Sequence, residues 1–287
     1  MSRLVILGCG YSAGRFLDLQ GGGFASVAVT ARSPDTIAAL AARGLDAFPF
    51  DGTDISSPLR DALSRATRLL VSVPAGPGGD PALPLLADVP MPALEWLGYL
   101  STVGVYGDAG GGWVDEASPV AASEPRARRR IEAERGWAAL ADGRGAPSQI
   151  FRIAGIYGPG RNALRQVREG SARRIVKPGQ VFNRIHVDDI AAAIAAGIAR
   201  PQLTGPVNLA DDEPAPSGDP IAYAASLLGI APPPEVPFEA AEMSEMARTF
   251  WSSNKRVSNR RLREQFGVEL KFPTYREGLA ALLAEGE

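Results

Sequence analysis

The sequence holds one cysteine, Cys9, so no disulfide can close within the chain and a thiol-rich metal site is excluded. It also holds one histidine, His186, which leaves a single side chain whose ordinary titration falls near neutrality. Neither sign of charge is in excess. A formal net charge of -2 argues against nucleic acid or an anionic membrane surface as the main partner. No apolar run reaches membrane-spanning length and no basic leader precedes the first apolar stretch, a combination that points to a cytoplasmic protein. No internal repeat is visible. What remains is a chain of 287 residues with ordinary apolar and charged fractions, 45% and 22%. That length allows one large or two small domains with a sizeable core.

The chain is organised around its opening stretch, MSRLVILGCGYSAG. Leu4, Val5, Ile6 and Leu7 suit a strand buried on both faces of a parallel sheet. Gly8, Gly10 and Gly14 follow, and with Ala13 in the third place the spacing is the G-x-G-x-x-G/A of a dinucleotide-binding turn. The first glycine makes the turn and the second lets backbone approach a pyrophosphate. The small third residue brings helix against strand, and phosphate then sits on the helix N-terminus. Tyr11 and Gly14 complete the candidate cofactor residues here. Cys9, inside the turn, reads either as a reactive thiol at a helix N-terminus or as a small apolar filler.

Further strands are expected at Val27–Thr30, Ala47–Phe50, Leu69–Val73, Leu94–Leu100, Gln149–Ile153 and Val207–Ala210. Helices are expected at Pro34–Ala42, Ala122–Leu140 and Asp188–Arg200. Alternating strands and helices argue for an α/β, Rossmann-type doubly wound parallel sheet with right-handed crossovers. Residues 1–160 read as the NAD(P)-binding domain, with 180–212 returning to it. Residues 161–287 read mainly as a small mixed C-terminal substrate lobe. The second strand ends in Thr30, Arg32 and Ser33, where an NAD-binding chain usually carries an acid. A guanidinium there grips a 2′-phosphate that a carboxylate would repel, which favours NADP over NAD. Asp51 is placed to meet the adenine or to cap a turn. Val73 and Pro74 open a Pro- and Gly-rich segment that should pass over the cofactor.

Five stretches, taken together, resemble one family. They are the glycine turn, Ser101-Thr102-Val103-Gly104-Val105-Tyr106-Gly107, Phe151 to Gly160 (FRIAGIYGPG), Asn183 to Ile190 (NRIHVDDI), and Tyr275-Arg276-Glu277-Gly278-Leu279. The chain resembles the extended short-chain dehydrogenase/reductases, the group of nucleotide-sugar epimerases and dehydratases, and among them atypical bacterial epimerase-like members. The resemblance implies that Thr102 hydrogen-bonds the substrate oxygen. It also implies a Tyr-x-x-x-Lys pair on the next helix, the tyrosine as acid/base and the lysine on the nicotinamide ribose. No tyrosine in this sequence has a lysine four residues later. Counting back from Ile131-Glu132-Ala133-Glu134, the tyrosine's place falls on Arg126 and the lysine's on Arg130. Arg130 can keep the ribose contact. Arg126 cannot exchange a proton near neutrality, because guanidinium does not deprotonate in proteins.

Tyr106 and Tyr157 read either as crevice residues that replace the tyrosine or as packing in turns. His186 reads as a catalyst or as a loop-fixing residue. Asp188 and Asp189 read as a helix N-cap and a first-turn acid, with no metal site. The Arg126–Arg130 run reads as a solvated helix face or as a holder of an anionic group. Arg161, Lys177, Arg184, Lys255 and Arg256 are candidates to surround a phosphate or carboxylate. The expectation is therefore an NADP(H)-binding oxidoreductase or epimerase-like protein acting on a small, nucleotide-sugar-like or anionic substrate. In that reading Thr102, Arg126, Arg130 and Tyr106 are the catalytic candidates, and Thr102, Tyr157, Arg161 and Arg184 the substrate-binding ones. The alternative is a dinucleotide-binding sensor without turnover. The resemblance further implies a homodimer paired through the Ala122–Leu140 helix and the segment after Gly160.

Overall fold

Four consecutive apolar residues are all buried only where both faces of a strand are covered, and Leu4, Val5, Ile6 and Leu7 are each no more than 2% exposed. Leu4 and Ile6 pack into one hydrophobic cluster and Val5 and Leu7 into another, one on each face of the sheet. The computed structural model describes residues 2–287, the side chain of Met246 excepted.

The sheet strands are β1 (Arg3–Leu7), β2 (Ser26–Ala31), β3 (Asp46–Pro49), β4 (Arg68–Val71), β5 (Trp96–Thr102), β6 (Ser148–Ile153) and β7 (Gly205–Leu209). They lie in the order β7-β6-β5-β4-β1-β2-β3, and every pairing is parallel. This is a Rossmann-like α/β fold. The helices α1 (Tyr11–Gln20), α2 (Pro34–Ala42) and α4 (Val187–Ala199) supply Phe16, Leu40 and Ile194 to one face. On the other face, Leu59 from Ser57–Ser64 packs with Trp137 from α3 (Pro125–Asp142). Strand order reverses beside β1, so β1 and β4 open a crevice at their carboxyl ends, the usual ligand position in such sheets.

Two helix starts differ from the sequence reading. The helix expected from Ala122 begins at Pro125, whose fixed φ and missing N–H suit the first helical turn. The α4 cap is not an aspartate: His186 Nδ1 accepts from the Asp188 amide at 3.1 Å. Both aspartates lie inside the first turn, where they complement the helix dipole.

After β6 the chain builds short parallel pairs, Gly155–Tyr157 with Arg184–His186 and Arg174–Val176 with Glu235–Pro237. A third cluster, including Tyr157, Leu164, Ile221, Tyr275 and Leu279, forms the core of this region. A third pair joins Trp113–Val114 to Arg256–Val257, bringing the loop after β5 against the C-terminal segment. Among the described residues no helix is long and apolar enough to cross a membrane.

Candidate active site

The glycine turn is built by bonds that only a particular second strand can supply. Gly8 has φ +86°, a conformation that favours glycine, and a Cβ there would meet Val73. Its amide donates to the Thr30 hydroxyl at 2.8 Å, and the Cys9 amide donates to the Thr30 carbonyl at 2.8 Å. Thr30 is therefore spent on shaping the turn rather than on flanking a ligand at the strand end. At Gly10 a Cβ would meet nothing within 4 Å, so the backbone faces open space at the start of α1. Ala13 is wholly buried against the sheet, and Gly14 faces an adjoining surface groove with Tyr11. Burial pushes the Cys9 thiol up, with Arg43 opposing, so the cysteine behaves as a filler and not as an activated thiolate.

A groove of about 400 Å³ runs from Gly8 and Gly10 past Arg32, Ser33, Asp51, Ser72, Val73 and Pro74. The Ser33 hydroxyl caps α2 by accepting from the Thr36 amide at 3.2 Å. Asp51 accepts from the Thr53 amide and hydroxyl at 2.9 and 2.6 Å, bonds that hold its carboxyl below the usual range. Arg32 is exposed on this groove. These features fit a dinucleotide: an open, glycine-lined helix start for the phosphates and a cation, not an acid, at the ribose end.

A second space of about 410 Å³ continues from Ser12 and Ser72 over the end of β5 to the C-terminal region. Thr102, Arg126, Arg130, Arg161 and Lys255 all line it, together with Asn183, Ser253, Phe182 and Phe250. Four cations face this crevice and no carboxylate lines it among the described residues. Thr102 accepts from the Gly104 amide at 3.1 Å, which fixes its oxygen and leaves its own proton to donate. Arg130 Nη1 donates to the Tyr99 hydroxyl at 2.7 Å and to the Leu100 carbonyl at 3.2 Å. The guanidinium at the lysine's place is thus anchored to β5. Arg126, one helical turn earlier, is exposed at the crevice wall.

Several expected site residues lie elsewhere. The Tyr106 hydroxyl donates to Asn208 Oδ1 at 2.7 Å and accepts from Arg152 Nη1 at 3.0 Å, and the side chain is 3% exposed. It is a packing residue that does not reach the crevice. Tyr157 donates to the Thr274 carbonyl at 3.3 Å, and burial drives its hydroxyl far above the ordinary range. Arg184 spends its guanidinium on the carbonyls of Phe182, Ala215 and Pro216. Both face a neighbouring cavity and not the space over Thr102. Lys177 donates to the Trp251 carbonyl and Arg256 to that of Gly111, so neither is offered to the crevice. Tyr11 donates to the Pro159 carbonyl at 2.9 Å, and Arg161 lies over its ring.

His186 is 2% exposed and packed between Tyr157 and Phe272, and burial holds it down to about 4 against the pull of Asp188. It fixes the start of α4 and is kept from the crevice. Asp188 takes Arg15 at 2.6 and 3.1 Å and Lys271 at 3.2 Å. Asp189 accepts from the amides of Lys271 and Phe272 at 2.7 and 3.2 Å. The sequence reading missed the buried network of Ser101, Glu134 and Arg152 below Thr102. The signal for it was Arg152 inside the otherwise apolar run Ile150 to Ile153; Glu134 is hidden in the charged run of its helix.

No protein-family model matches the chain. A Silicibacter pomeroyi protein of unknown function is 44% identical, the match covers all of both chains, and its structure superposes with a TM-score of 0.88. A Methylobacillus flagellatus protein described only as an NAD-dependent epimerase/dehydratase is 28% identical over 99% of this chain and 98% of its own, TM-score 0.70. A human epimerase family protein solved with NADPH shares the fold, with a TM-score of 0.73 at 17% identity over 99% of this chain and the whole of its own. A curated Streptomyces protein, 3-diazoavenalumate denitrifying reductase, is 29% identical over 142 residues, 45% of this chain and 45% of that protein. The chain thus spans less than half the length of that curated relative. A seven-stranded parallel sheet with a glycine turn after its first strand is the Rossmann-like fold these solved proteins share, and over nearly its whole length the chain is similar to a protein of the NAD-dependent epimerase/dehydratase type.

Proposed function

We propose that the protein is an NADP(H)-dependent oxidoreductase that acts on a small anionic substrate. The observation that carries this reading is the crevice itself. Thr102 shares one space with Arg126, Arg130, Arg161 and Lys255, no acid lines that space, and the glycine-turn groove meets it at Ser72. Four cations in a partly enclosed cleft, with Asp108 and Glu124 set back in an adjoining pocket, raise the local concentration of anions and favour their binding.

In this reading the Gly10 backbone and the start of α1 hold the pyrophosphate. Arg32 and Ser33 hold the 2′-phosphate, Asp51 meets the adenine, and Val73 and Pro74 flank the dinucleotide. The nicotinamide supplies or takes up hydride when bound. Arg130, pinned by Tyr99, presents donors to the nicotinamide ribose. Thr102 donates to the substrate oxygen, and Arg126 takes the substrate's anionic group in a charge-assisted bond. Support for the cofactor comes from solved proteins of this fold, one with NADPH and one with NAD and UDP-glucose. The reading extends to a homodimer paired through α3, on the strength of the family resemblance; a monomer mass by light scattering would remove it.

One observation favours a second reading. Arg126 stands where the acid/base tyrosine belongs, and a guanidinium does not exchange protons near neutrality. A protein that binds NADP(H) without turnover would show this. Titration with NADPH and NADH, followed by nicotinamide fluorescence, tests the cofactor. NADPH oxidation across carboxylate- and phosphate-bearing carbonyl compounds, with Thr102→Val as control, tests turnover. The expected result is tight NADPH binding and turnover that the substitution lowers about tenfold or more, the usual scale for a lost transition-state hydrogen bond. Tight binding with silence across the panel would establish the second reading.

A further inference from the structure

A carbonyl reduction needs a proton as well as a hydride, and the crevice has few groups that can give one. Its polar lining consists of serines, Thr102, Asn183, three arginines and Lys255. Serine and threonine hydroxyls are poor acids at ordinary pH, and guanidinium keeps its protons. No tyrosine, histidine, cysteine or carboxylate lines this space among the described residues. Lys255 is the exception.

Lys255 is also built into place. Its Nζ donates to the Gly107 carbonyl at 2.6 Å and to Ser253 Oγ at 3.0 Å, which leaves one of three ammonium hydrogens uncommitted. Gly107 ends the short turn that Thr102 begins, so one six-residue segment carries the oxygen-holding hydroxyl and the anchor of the lysine. Asn183, itself on the crevice wall, donates to the Lys255 carbonyl at 3.0 Å and accepts from the Val257 amide at 2.8 Å. The residue is 6% exposed, an unusual degree of burial for a lysine whose Nζ has no carboxylate within ion-pair distance.

We propose that Lys255 Nζ is the proton donor to the substrate oxygen in the reductive direction, in place of the family's tyrosine. The step rests on the oxidoreductase reading above. The carbonyl carbon gains hydride from the reduced nicotinamide, and the C=O π pair moves to oxygen. One N–H of the Lys255 ammonium breaks as the O–H forms. The products are an alcohol, the oxidised nicotinamide and a neutral amine, which recovers a proton from water. Burial lowers the lysine's affinity for its proton, which suits a donor. Asp108 across the turn opposes that effect, and Arg126, Arg130 and Arg161 line the same crevice.

The chain has three lysines, Lys177, Lys255 and Lys271, so its titration can be read residue by residue. Full-length protein grown with lysine carrying ¹³C at Cε gives three resonances, assigned with Lys177→Arg and Lys271→Arg. The Lys255 signal is expected to titrate below the other two, and to do so with and without NADP⁺. A Lys255 signal that titrates with the others would overturn the proposal whatever the activity. Turnover supplies the second arm. Lys255→Met and Lys255→Arg should both lose about a hundredfold to ten-thousandfold in kcat, the range for a removed acid/base. NADPH affinity should be unchanged in both. Arginine keeps the charge and cannot give the proton, so full activity in Lys255→Arg would reduce the lysine to an anchor and defeat the inference alone. Tight NADPH binding with no turnover by the unaltered protein would defeat the oxidoreductase reading, and this proposal with it.

Discussion

Arg152 and Glu134 form a forked ion pair beneath the crevice, with Nη2 at 2.8 Å and Nε at 3.2 Å from the carboxylate, both side chains less than a tenth exposed. Ser101 adds a 2.5 Å bond to the same carboxylate, and Arg152 reaches on to Tyr106. The pair joins α3 to β6 directly under Thr102. Breaking one half strands the other as a buried charge. Glu134→Ala should therefore cost about 3–5 kcal/mol in urea unfolding, the range for a broken buried pair. A loss below ~1 kcal/mol, the level of a surface pair, would show that water reaches the site.

Arg32 stands on the groove just past the end of β2, where the strand-end residues Thr30, Ala31, Arg32 and Ser33 include no acid. Arg32→Glu should weaken NADPH binding by at least tenfold, about 1.4 kcal/mol, and change NADH binding far less. Equal effects on both nucleotides would mean that the residue does not read the 2′-phosphate. The readout is fluorescence titration of each nucleotide.

Asp211 is buried with its Oδ2 unpartnered, while Oδ1 accepts from the Glu213 amide at 3.2 Å. Burial raises its pKa to about 8, against the pull of Arg184. The folded state thus holds a proton that the unfolded chain releases near its ordinary value. Stability falls as pH rises from about 4 to about 8 on account of this group. Asp211→Asn cannot ionise and can keep the amide bond. It should be more stable than the parent at pH 9, by about 1–3 kcal/mol for relief of an unpaired buried group, with the difference shrinking steadily towards pH 4. A constant difference across that range would reject the assignment.

His186 carries the opposite sign. Burial holds it near 4, so the folded state keeps it neutral while the unfolded chain takes up a proton below about 6.5. Its contribution is complete above that value and is lost as pH falls towards 4. As the only histidine, it gives one imidazole Cε1–H signal in an NMR spectrum. The signal should remain at its neutral position down to pH 5. A midpoint near 6.5 would show an imidazole open to solvent.

The sheet was legible because its signals are local. Leu4–Leu7 announces a doubly covered strand by composition, and Gly8 and Gly10 announce the turn by spacing. Pro125 moved a helix start by three residues because the alanines before it follow the loop, not the helix. The crevice was only half legible. Thr102, Arg126 and Arg130 follow from motif and helical spacing, whereas Tyr106 and Tyr157 lie in the right motifs with their hydroxyls turned inward. Lys255 meets Gly107 across 148 residues of chain, and no periodicity in SSNKR signals that contact. His186 displaced the aspartates as cap because its ring is held between Tyr157 and Phe272, partners that only the folded C-terminal region supplies.

The bond from Tyr11 to the Pro159 carbonyl, with Arg161 stacked above the ring, joins the first turn of α1 to the loop that walls the crevice. Under the proposed function, a dinucleotide settling on α1 is expected to stiffen the far wall before any substrate arrives. The proposed function then predicts an ordered sequence: nucleotide enters first and leaves last, and substrate meets a finished chamber. Product-inhibition patterns should show the two nucleotides competing with each other alone. Random-order kinetics would mean that the Tyr11 clasp holds the wall equally well when the groove is empty.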